Sequence, residues 1–202
     1  MPIKALDTTI ILLPETSGSP SPVHDLVPAG FGAVFKYLRL DRANTTEIAH
    51  LRANGIKVGW VYEKGNPQVQ SYFTTTQATT DLALATEYAR ALGVRAANAN
   101  DPPGEVIFIA IDCDADPEAI LPYFQTFHNG LKALGFRVGV YGSGIVCETF
   151  KAEGYAEFTW LSESAGWTGY QDWKDQADVL QELGECPFGG DLDTVVNAEV
   201  VS

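Results

Sequence analysis

Acidic side chains follow several apolar, strand-like segments of this sequence, always at or just past the end of the segment. The clearest case is the run Val106 to Ile111, which is rich in Ile and Val and is followed by Asp112 and Asp114. Such a run is typical of a strand buried on both faces. Residues two apart on a strand point to the same side, so both carboxylates are expected to face one site. Asp116 next to Pro117 is better explained as a helix N-cap.

The same arrangement recurs along the chain. The acids in these positions are Asp7, Glu63, Asp112, Asp114, Glu163 and Asp191 or Asp193. Aromatic residues accompany them: Tyr37, Trp60, Tyr62, Tyr141 and Trp160 in the segments, then Trp167, Tyr170 and Trp173 in one loop. Carboxylates interleaved with aromatic rings suit a sugar, whose hydroxyl groups need acceptors and whose C–H faces stack on rings. Few basic residues occur there, which disfavours a phosphorylated substrate.

Paired carboxyl groups can hydrolyse a glycosidic bond. One carboxylic acid, its pKa raised by burial and by neighbouring acids, protonates the leaving oxygen. A second carboxylate acts as nucleophile, as the base that activates water, or as a charge stabiliser. Side chains at i and i+2 of a strand have Cβ atoms about 6.5–7 Å apart, which leaves both the retaining and the inverting reaction open. We expect Asp112, Asp114, Glu63 and Asp7 to be catalytic, and Tyr37, Tyr62, Tyr141, Trp160, Glu163, Asp191 and Asp193 to bind substrate.

The segments that must position these residues alternate between strands and helices. The predicted strands cover residues 3–7, 33–39, 57–63, 106–112, 137–141, 158–161, 177–183 and a segment ending at Asp193. The predicted helices cover residues 80–92, 117–134 and 145–153, with another that begins after Asn44, has Glu47 at the capping-box position and ends at Gly55. The proline-rich segment 14–28 is predicted to be a loop with a short helix near His24.

This alternation predicts a parallel sheet with right-handed crossovers. About eight strands favour a closed (β/α)₈ barrel of the TIM type, in which catalytic groups lie at the C-terminal ends of the strands. Because 202 residues are near the lower limit for this fold, the last helices should be short or missing. No internal repeat or linker is evident, so residues 1–202 are predicted to form one domain.

Composition and motifs exclude several classes of function. The net charge of −13 disfavours nucleic acid and anionic membranes as partners. The three cysteines and three histidines are scattered, which predicts neither a disulfide framework nor a metal site. No Gly-x-Gly-x-x-Gly fingerprint follows the first strand, and we expect no cofactor. Gly142-Ser143-Gly144 lacks the full nucleophile-elbow spacing and is interpreted as a structural turn.

Several segments resemble a bacterial family described as glycoside hydrolase-like barrels of undetermined function. They are Leu6-Asp7, Lys36-Tyr37, Val61-Tyr62-Glu63, Ile109 to Asp114, Gly139-Val140-Tyr141-Gly142-Ser143 and Gly190 to Asp193. The likeness runs nearly end to end. The sequence is more distantly similar to Chalaropsis-type lysozymes, which carry an Asp on the first strand, an Asp-x-Glu pair on the fourth and an Asp on the eighth. Asp7, Asp112, Asp114 and Asp191 or Asp193 occupy these places.

The resemblance implies a carbohydrate-active barrel directed at the glycan of bacterial peptidoglycan. Two positions depart from the patterns: Asp114 stands where the lysozymes have Glu, and Lys36 where the hydrolase-like family commonly has Arg. With the shorter Asp114, Glu63 becomes the alternative proton donor. The other open hypothesis is a glycan-binding barrel without turnover. No transmembrane run or signal peptide is evident, so we expect a protein that is cytoplasmic as synthesised and is exported by a non-classical route or released by lysis. We also expect it to be a monomer.

Overall fold

Eight strands close into a barrel in chain order in the computed structural model, which describes residues 1–13, 22–98 and 103–202. The strands are β1 (Ile3–Thr8), β2 (Phe31–Tyr37), β3 (Lys57–Tyr62), β4 (Val106–Ala110), β5 (Arg137–Gly142), β6 (Phe158–Leu161), β7 (Val179–Glu185) and β8 (Asp191–Val195). The predicted TIM-type barrel is therefore confirmed.

Helices connect most of the strands. They are α1 (Val23–Leu26), α2 (Thr45–Ala53), α3 (Thr75–Leu92), α4 (Pro117–Ala133), α5 (Gly144–Ala152) and α6 (Tyr170–Trp173), with 3₁₀ turns at Gln70–Tyr72 and Ala198–Val200. As expected, the last helices are short or missing, because α6 is four residues long and only residues 186–190 connect β7 to β8. No helix of the described residues is long and apolar enough to cross a membrane.

Most predicted boundaries differ from the structure by no more than two residues, as is usual for element ends, but α3 begins at Thr75 and not at Thr80. Its N-cap is Thr74, whose hydroxyl oxygen accepts a hydrogen bond from the N–H of Gln77 at 3.2 Å. This Thr-x-x-Gln spacing is a helix-start signal that the sequence interpretation missed. Of the proline-rich segment 14–28, residues 14–21 lie outside the described residues, and α1 confirms the short helix near His24.

The prediction of an all-parallel sheet is wrong for β8, which runs antiparallel to both β1 and β7. A parallel return needs a crossover of a dozen or more residues, and the five residues 186–190 allow only a hairpin. Gly189 and Gly190 take φ values of +78° and +109° in this turn, a conformation that glycine adopts without a steric penalty. Asp191 therefore begins a strand instead of ending one. The reversed direction still brings it to the rim, where it pairs in register with Asp7.

Three aromatic rings fill the middle of the barrel. The ring of Trp160 lies 4.4 Å from that of Phe35 and 5.6 Å from that of Phe108, measured between centroids. Glycines on neighbouring strands leave room for them, since a Cβ atom at Gly59 would lie 2.3 Å from the Phe35 ring and one at Gly139 would lie 2.4 Å from the Phe108 ring. The barrel is therefore solid at mid-height, and no channel runs through these rings.

A buried ion pair joins the barrel to α2. The Nζ atom of Lys36 lies 3.0 Å from Oε1 of Glu47, and both side chains are 0 % exposed. Asn44 caps α2 as predicted, because its side-chain oxygen accepts from the N–H of Glu47. The Glu47 carboxylate itself points inward instead of completing a capping box, and it accepts from the N–H of Leu12 at 2.7 Å. Lys36 thus faces the helix layer and not the barrel interior.

Candidate active site

A cavity of about 140 Å³ lies at the C-terminal rim of the barrel, above the aromatic rings. Its lining consists of four acids, three aromatic residues, one amide and one aliphatic residue: Asp7, Glu63, Asp112, Asp191, Tyr37, Tyr141, Trp160, Gln181 and Val61. Inward-facing positions alternate along each strand, which places Asp7 two residues above Ala5 and Tyr37 two residues above Phe35. Glu63 and Asp112 extend the same inward faces just beyond the ends of β3 and β4.

The amide of Gln181 organises the floor of this cavity. Its Oε1 atom accepts from the Tyr141 hydroxyl at 2.9 Å and from the N–H of Glu163 at 3.2 Å. Its Nε2 atom donates to Oδ2 of Asp7 at 3.1 Å and to Oδ2 of Asp191 at 3.4 Å. Because two donors fix the amide oxygen, the NH₂ group must face the two acids. Gln181 therefore holds the carboxyl groups of β1 and β8 side by side.

Asp7 is 3 % exposed. Burial, followed by the charge of Asp191 and smaller contributions from Glu63 and Glu163, raises its pKa to about 8. The hydrogen bond from Gln181 lowers the pKa but does not offset the burial. A buried carboxyl group among other acids is more stable in its neutral form. Asp7 therefore keeps its proton at neutral pH.

Glu63 and Asp112 both line this cavity, and both are partly exposed. Burial, and after it the charge of Asp112, raises the pKa of Glu63 to about 7, against the opposing effects of Arg39, Gln68 and Tyr37. Burial also raises the pKa of Asp112, while a hydrogen bond from Gln68 Nε2 to Asp112 Oδ2, at 2.7 Å, lowers it. Neighbouring carboxyl groups with different environments can divide the roles of acid and base.

A second cavity, of about 260 Å³, lies at the opposite end of the barrel, where β3, β4 and β5 begin. Of its two arginines, Arg137 is already paired with Glu157 and Glu199, and Val200 and Val201 form part of its wall. No group of three or more His, Cys, Asp or Glu side chains among the described residues is placed to hold a metal ion.

Residues 24–194 match the model of a protein family, the Rv2525c-like, glycoside hydrolase-like domain. The chain belongs to this family. A comparison with curated proteins found no match. Identification as a glycoside hydrolase-like domain agrees with the resemblance of the rim segments.

Solved structures share the barrel of this Rv2525c-like domain. The Tat-secreted protein Rv2525c of Mycobacterium tuberculosis, solved with HEPES, is 16 % identical over 99 % of this chain and 98 % of its own, with a TM-score of 0.71. An uncharacterized protein of B. stearothermophilus is also 16 % identical, over 99 % of this chain and 100 % of its own, with a TM-score of 0.67. The catalytic domain of endolysin ply40 from Listeria monocytogenes bacteriophage P40 is 10 % identical, over 99 % of this chain and 95 % of its own, with a TM-score of 0.57. At these identities the likeness concerns the fold.

Seven predicted site residues of the Rv2525c-like domain line the cavity, but Asp114 does not. β4 ends at Ala110, so Asp112 and Asp114 lie in the following turn and their carboxylates meet different partners. Oδ1 of Asp114 accepts from the N–H of Thr168 at 3.0 Å, and Oδ2 accepts from its hydroxyl at 2.9 Å. The expected same-side carboxylate pair is not formed.

Three other predicted residues lie beside the cavity or away from it. The hydroxyl of Tyr62 points outward and donates to the buried Asp81 of α3 at 3.0 Å. Asp193 is fully buried inside the barrel, where Trp160 Nε1 donates to its Oδ1 at 2.9 Å and burial raises its pKa well above the usual range. Glu163 does not line the cavity, but its charge reaches Asp7 and its N–H binds Gln181.

The sequence interpretation missed Gln181 and Gln68, the two amides that hold the acids in place. Gln181 lies within the predicted seventh strand, two residues after the buried Val179. A polar residue at an inward-facing strand position was a signal for it. Gln68 lies in a loop between β3 and α3, and no local pattern marks it.

Proposed function

We propose that this domain is a glycosidase that cleaves the glycan of bacterial peptidoglycan by acid catalysis at the rim cavity. The observation that carries the proposal is the group of four carboxyl groups around one cavity, among which the pKa of Glu63 is about 7. A general acid works best when its pKa is near the working pH. The glycoside hydrolase-like family and the endolysin fold support this class of reaction.

Glu63 is the proposed proton donor. It lines the cavity, is more exposed than Asp7 and has the longer side chain, so its proton can reach the leaving oxygen of a sugar bound above the aromatic rings. Asp112 is its proposed partner, because it lines the same cavity and its charge acts directly on Glu63. The ionised Asp112 would stabilise the positive charge that develops at the sugar ring, or attack it, or activate water.

The remaining lining residues would bind the sugar. Asp7 is protonated at neutral pH and can donate a hydrogen bond, whereas the Gln181 amide and the Asp191 carboxyl group offer polar contacts at the floor. Tyr37, Tyr141 and Trp160 supply rings and hydroxyl groups. Sites that bind small molecules usually combine aromatic walls with a few fixed polar groups.

Further parts of the proposal concern where the domain acts and in what form. We place it at the cell wall after export or lysis, as a monomer that requires no cofactor, metal ion or nucleic acid. The description of Rv2525c as Tat-secreted supports action outside the cytoplasm. The net charge of −13 supports the exclusion of nucleic acid, because phosphate binding needs a basic surface.

A second candidate function is glycan binding without turnover. The hydrogen bonds between Asp114 and Thr168 favour this second function, because the acid that corresponds to the Glu of Chalaropsis-type lysozymes does not face the cavity. On this alternative, the same cavity binds the sugar but Glu63 is not positioned to protonate the glycosidic oxygen. Saturable glycan binding with no new reducing ends distinguishes it from the glycosidase.

The pH dependence of glycan cleavage should show a basic limb near pH 7. Glu63 must hold its proton to act, so kcat/KM is expected to fall as the pH rises through the pKa of about 7. On the acidic side, the rate should fall as Asp112 becomes protonated. The measurement is the initial rate of reducing-end release between pH 4 and pH 9.

An Asp112→Asn variant provides the control for this assignment. Removal of the Asp112 charge, which raises the pKa of Glu63, should move the basic limb of the residual activity to lower pH. A rate that keeps rising from pH 7 to pH 9 in the parent protein would exclude Glu63 as the proton donor.

A further inference from the structure

The loop of residues 162–169, which follows β6, is fastened at both ends. At its beginning, the N–H of Glu163 donates to Oε1 of Gln181 at 3.2 Å. At its end, Thr168 makes three hydrogen bonds: two with the Asp114 carboxylate, and one in which its carbonyl oxygen accepts from the N–H of Ile145 at 2.9 Å. A turn in which Trp167 N–H donates to Ser164 O at 2.8 Å lies between these attachments.

The end of the loop is held from two sides. Gly169 follows Thr168 and abuts the first turn of α5 so closely that a Cβ atom at Gly144 would lie 2.0 Å from the carbonyl oxygen of Gly169. The loop end is therefore pressed against α5 on one side and bound to Asp114 on the other. Hydrogen bonds to a charged group are stronger than those between neutral groups, so the Asp114 carboxylate adds two strong bonds to the packing that holds Thr168.

This loop also connects Asp114 to the floor of the cavity. Glu163 donates to the same amide oxygen that Tyr141 binds, and that amide holds Asp7 and Asp191. The charge of Glu163 also contributes to the raised pKa of Asp7. A displacement of the loop would therefore change both the orientation of Gln181 and the electrostatics of Asp7.

We infer that Asp114 is a positioning residue that fastens the 162–169 loop and thereby sets the affinity of the rim cavity for its glycan, without donating a proton. The inference rests on the proposed function for the identity of the ligand, and it gives Asp114 a role different from that of the lysozyme acid. The anchored loop carries Glu163 and the half-buried Trp167, and it follows β6, whose Trp160 lines the cavity.

Two substitutions at Asp114 distinguish a residue that anchors Thr168 from a residue that donates the catalytic proton. Asp114→Asn keeps an oxygen for the Thr168 N–H and offers an NH₂ group to the hydroxyl, which can accept as well as donate. It is expected to keep KM and kcat within about threefold of the parent, since both hydrogen bonds survive. Asp114→Ala removes both bonds and is expected to raise KM for peptidoglycan fragments about tenfold, the equivalent of about 1.4 kcal/mol, with kcat nearly unchanged.

The basic limb near pH 7 should persist in both variants, because it belongs to Glu63. Thr168→Val, which keeps the N–H and loses the hydroxyl, should raise KM less, by about threefold. Asp116→Asn is the matched control: it removes the same charge two residues away, and asparagine still caps α4. A fall in kcat of about 100-fold or more in Asp114→Asn, with loss of the basic limb, would overturn the inference and make Asp114 the acid.

Hydrogen exchange at the Thr168 amide tests the anchor without any activity. Exchange should be fastest in Asp114→Ala, intermediate in Asp114→Asn, whose bonds are neutral, and unchanged in Asp116→Asn. If the parent binds glycan but releases no reducing ends, the proposed enzymatic function fails, and the same variants are then compared by the Kd for the fragments. Equal exchange rates and equal affinities in the parent and Asp114→Ala would overturn the anchor, whichever way the activity is decided.

Discussion

Substitution of Glu63 with glutamine is expected to lower glycan turnover at least about 100-fold, because glutamine has nearly the same shape but no acidic proton. General acid catalysis contributes about 10²–10⁴-fold to the rate of such reactions. Burial and the charge of Asp112 keep the proton on Glu63 near neutral pH, which is the property that the substitution removes. The measurement is the rate of reducing-end release from purified peptidoglycan at pH 6.

The binding of glycan to Glu63→Gln should change by only a few-fold, since the amide can still hydrogen-bond to the sugar. A large fall in kcat with nearly unchanged affinity indicates loss of the proton donor, whereas a fall in both would indicate a change in the shape of the cavity. Asp116→Asn is the matched control, because it neutralises an exposed acid that caps α4 outside the cavity. Equal turnover in Glu63→Gln and the parent would show that another group donates the proton.

Removal of Lys36 is expected to destabilise the fold by about 3–5 kcal/mol, because the Glu47 carboxylate would remain buried without its cation. Both side chains are 0 % exposed, their charged atoms lie 3.0 Å apart, and burial lowers the pKa of the Lys36 ammonium group against the opposing effect of Glu47. Lys36→Met tests this in urea unfolding, where the midpoint should fall without a change in slope.

Two variants show whether the loss comes from the buried charge. Lys132→Met removes a surface ion pair, in which Lys132 lies 2.8 Å from Glu157 and is 46 % exposed, and it should cost less than about 1 kcal/mol. The double variant Lys36→Met/Glu47→Gln removes both charges while glutamine still accepts the Leu12 N–H. It should be more stable than Lys36→Met alone. An unfolding free energy of Lys36→Met equal to that of Lys132→Met would contradict the expectation.

The alternation of strands and helices was enough to predict the barrel and most of its acidic rim. Asp7, Glu63 and Asp112 were identifiable because each follows an apolar segment, and parallel strands bring their C-terminal ends to one face. The direction of β8 depends on the length of the preceding connection, since residues 186–190 are too few for a crossover, and strand periodicity alone carries no information on direction. Asp191 reached the predicted rim through a reversed strand.

The partners of the acids could not be predicted from local patterns. The Asp114 carboxylate binds Thr168, and Gln181 binds Asp7, pairs that are far apart in the chain and meet only through the closure of the barrel. Strand periodicity shows which side chains of a strand face inward. It does not show which side chains of the following loop point away from the cavity. The prediction of a same-side pair failed there, because β4 ends before Asp112.

The most direct test of the proposed function is incubation of the purified protein with purified peptidoglycan, with reducing ends and bound protein measured over time at pH 6. A glycosidase should release new reducing ends in proportion to enzyme and time, and Glu63→Gln should bind equally while releasing almost none. Saturable binding by the parent with no new reducing ends would contradict the proposed catalysis and leave a glycan-binding barrel. No binding and no release would contradict both functions.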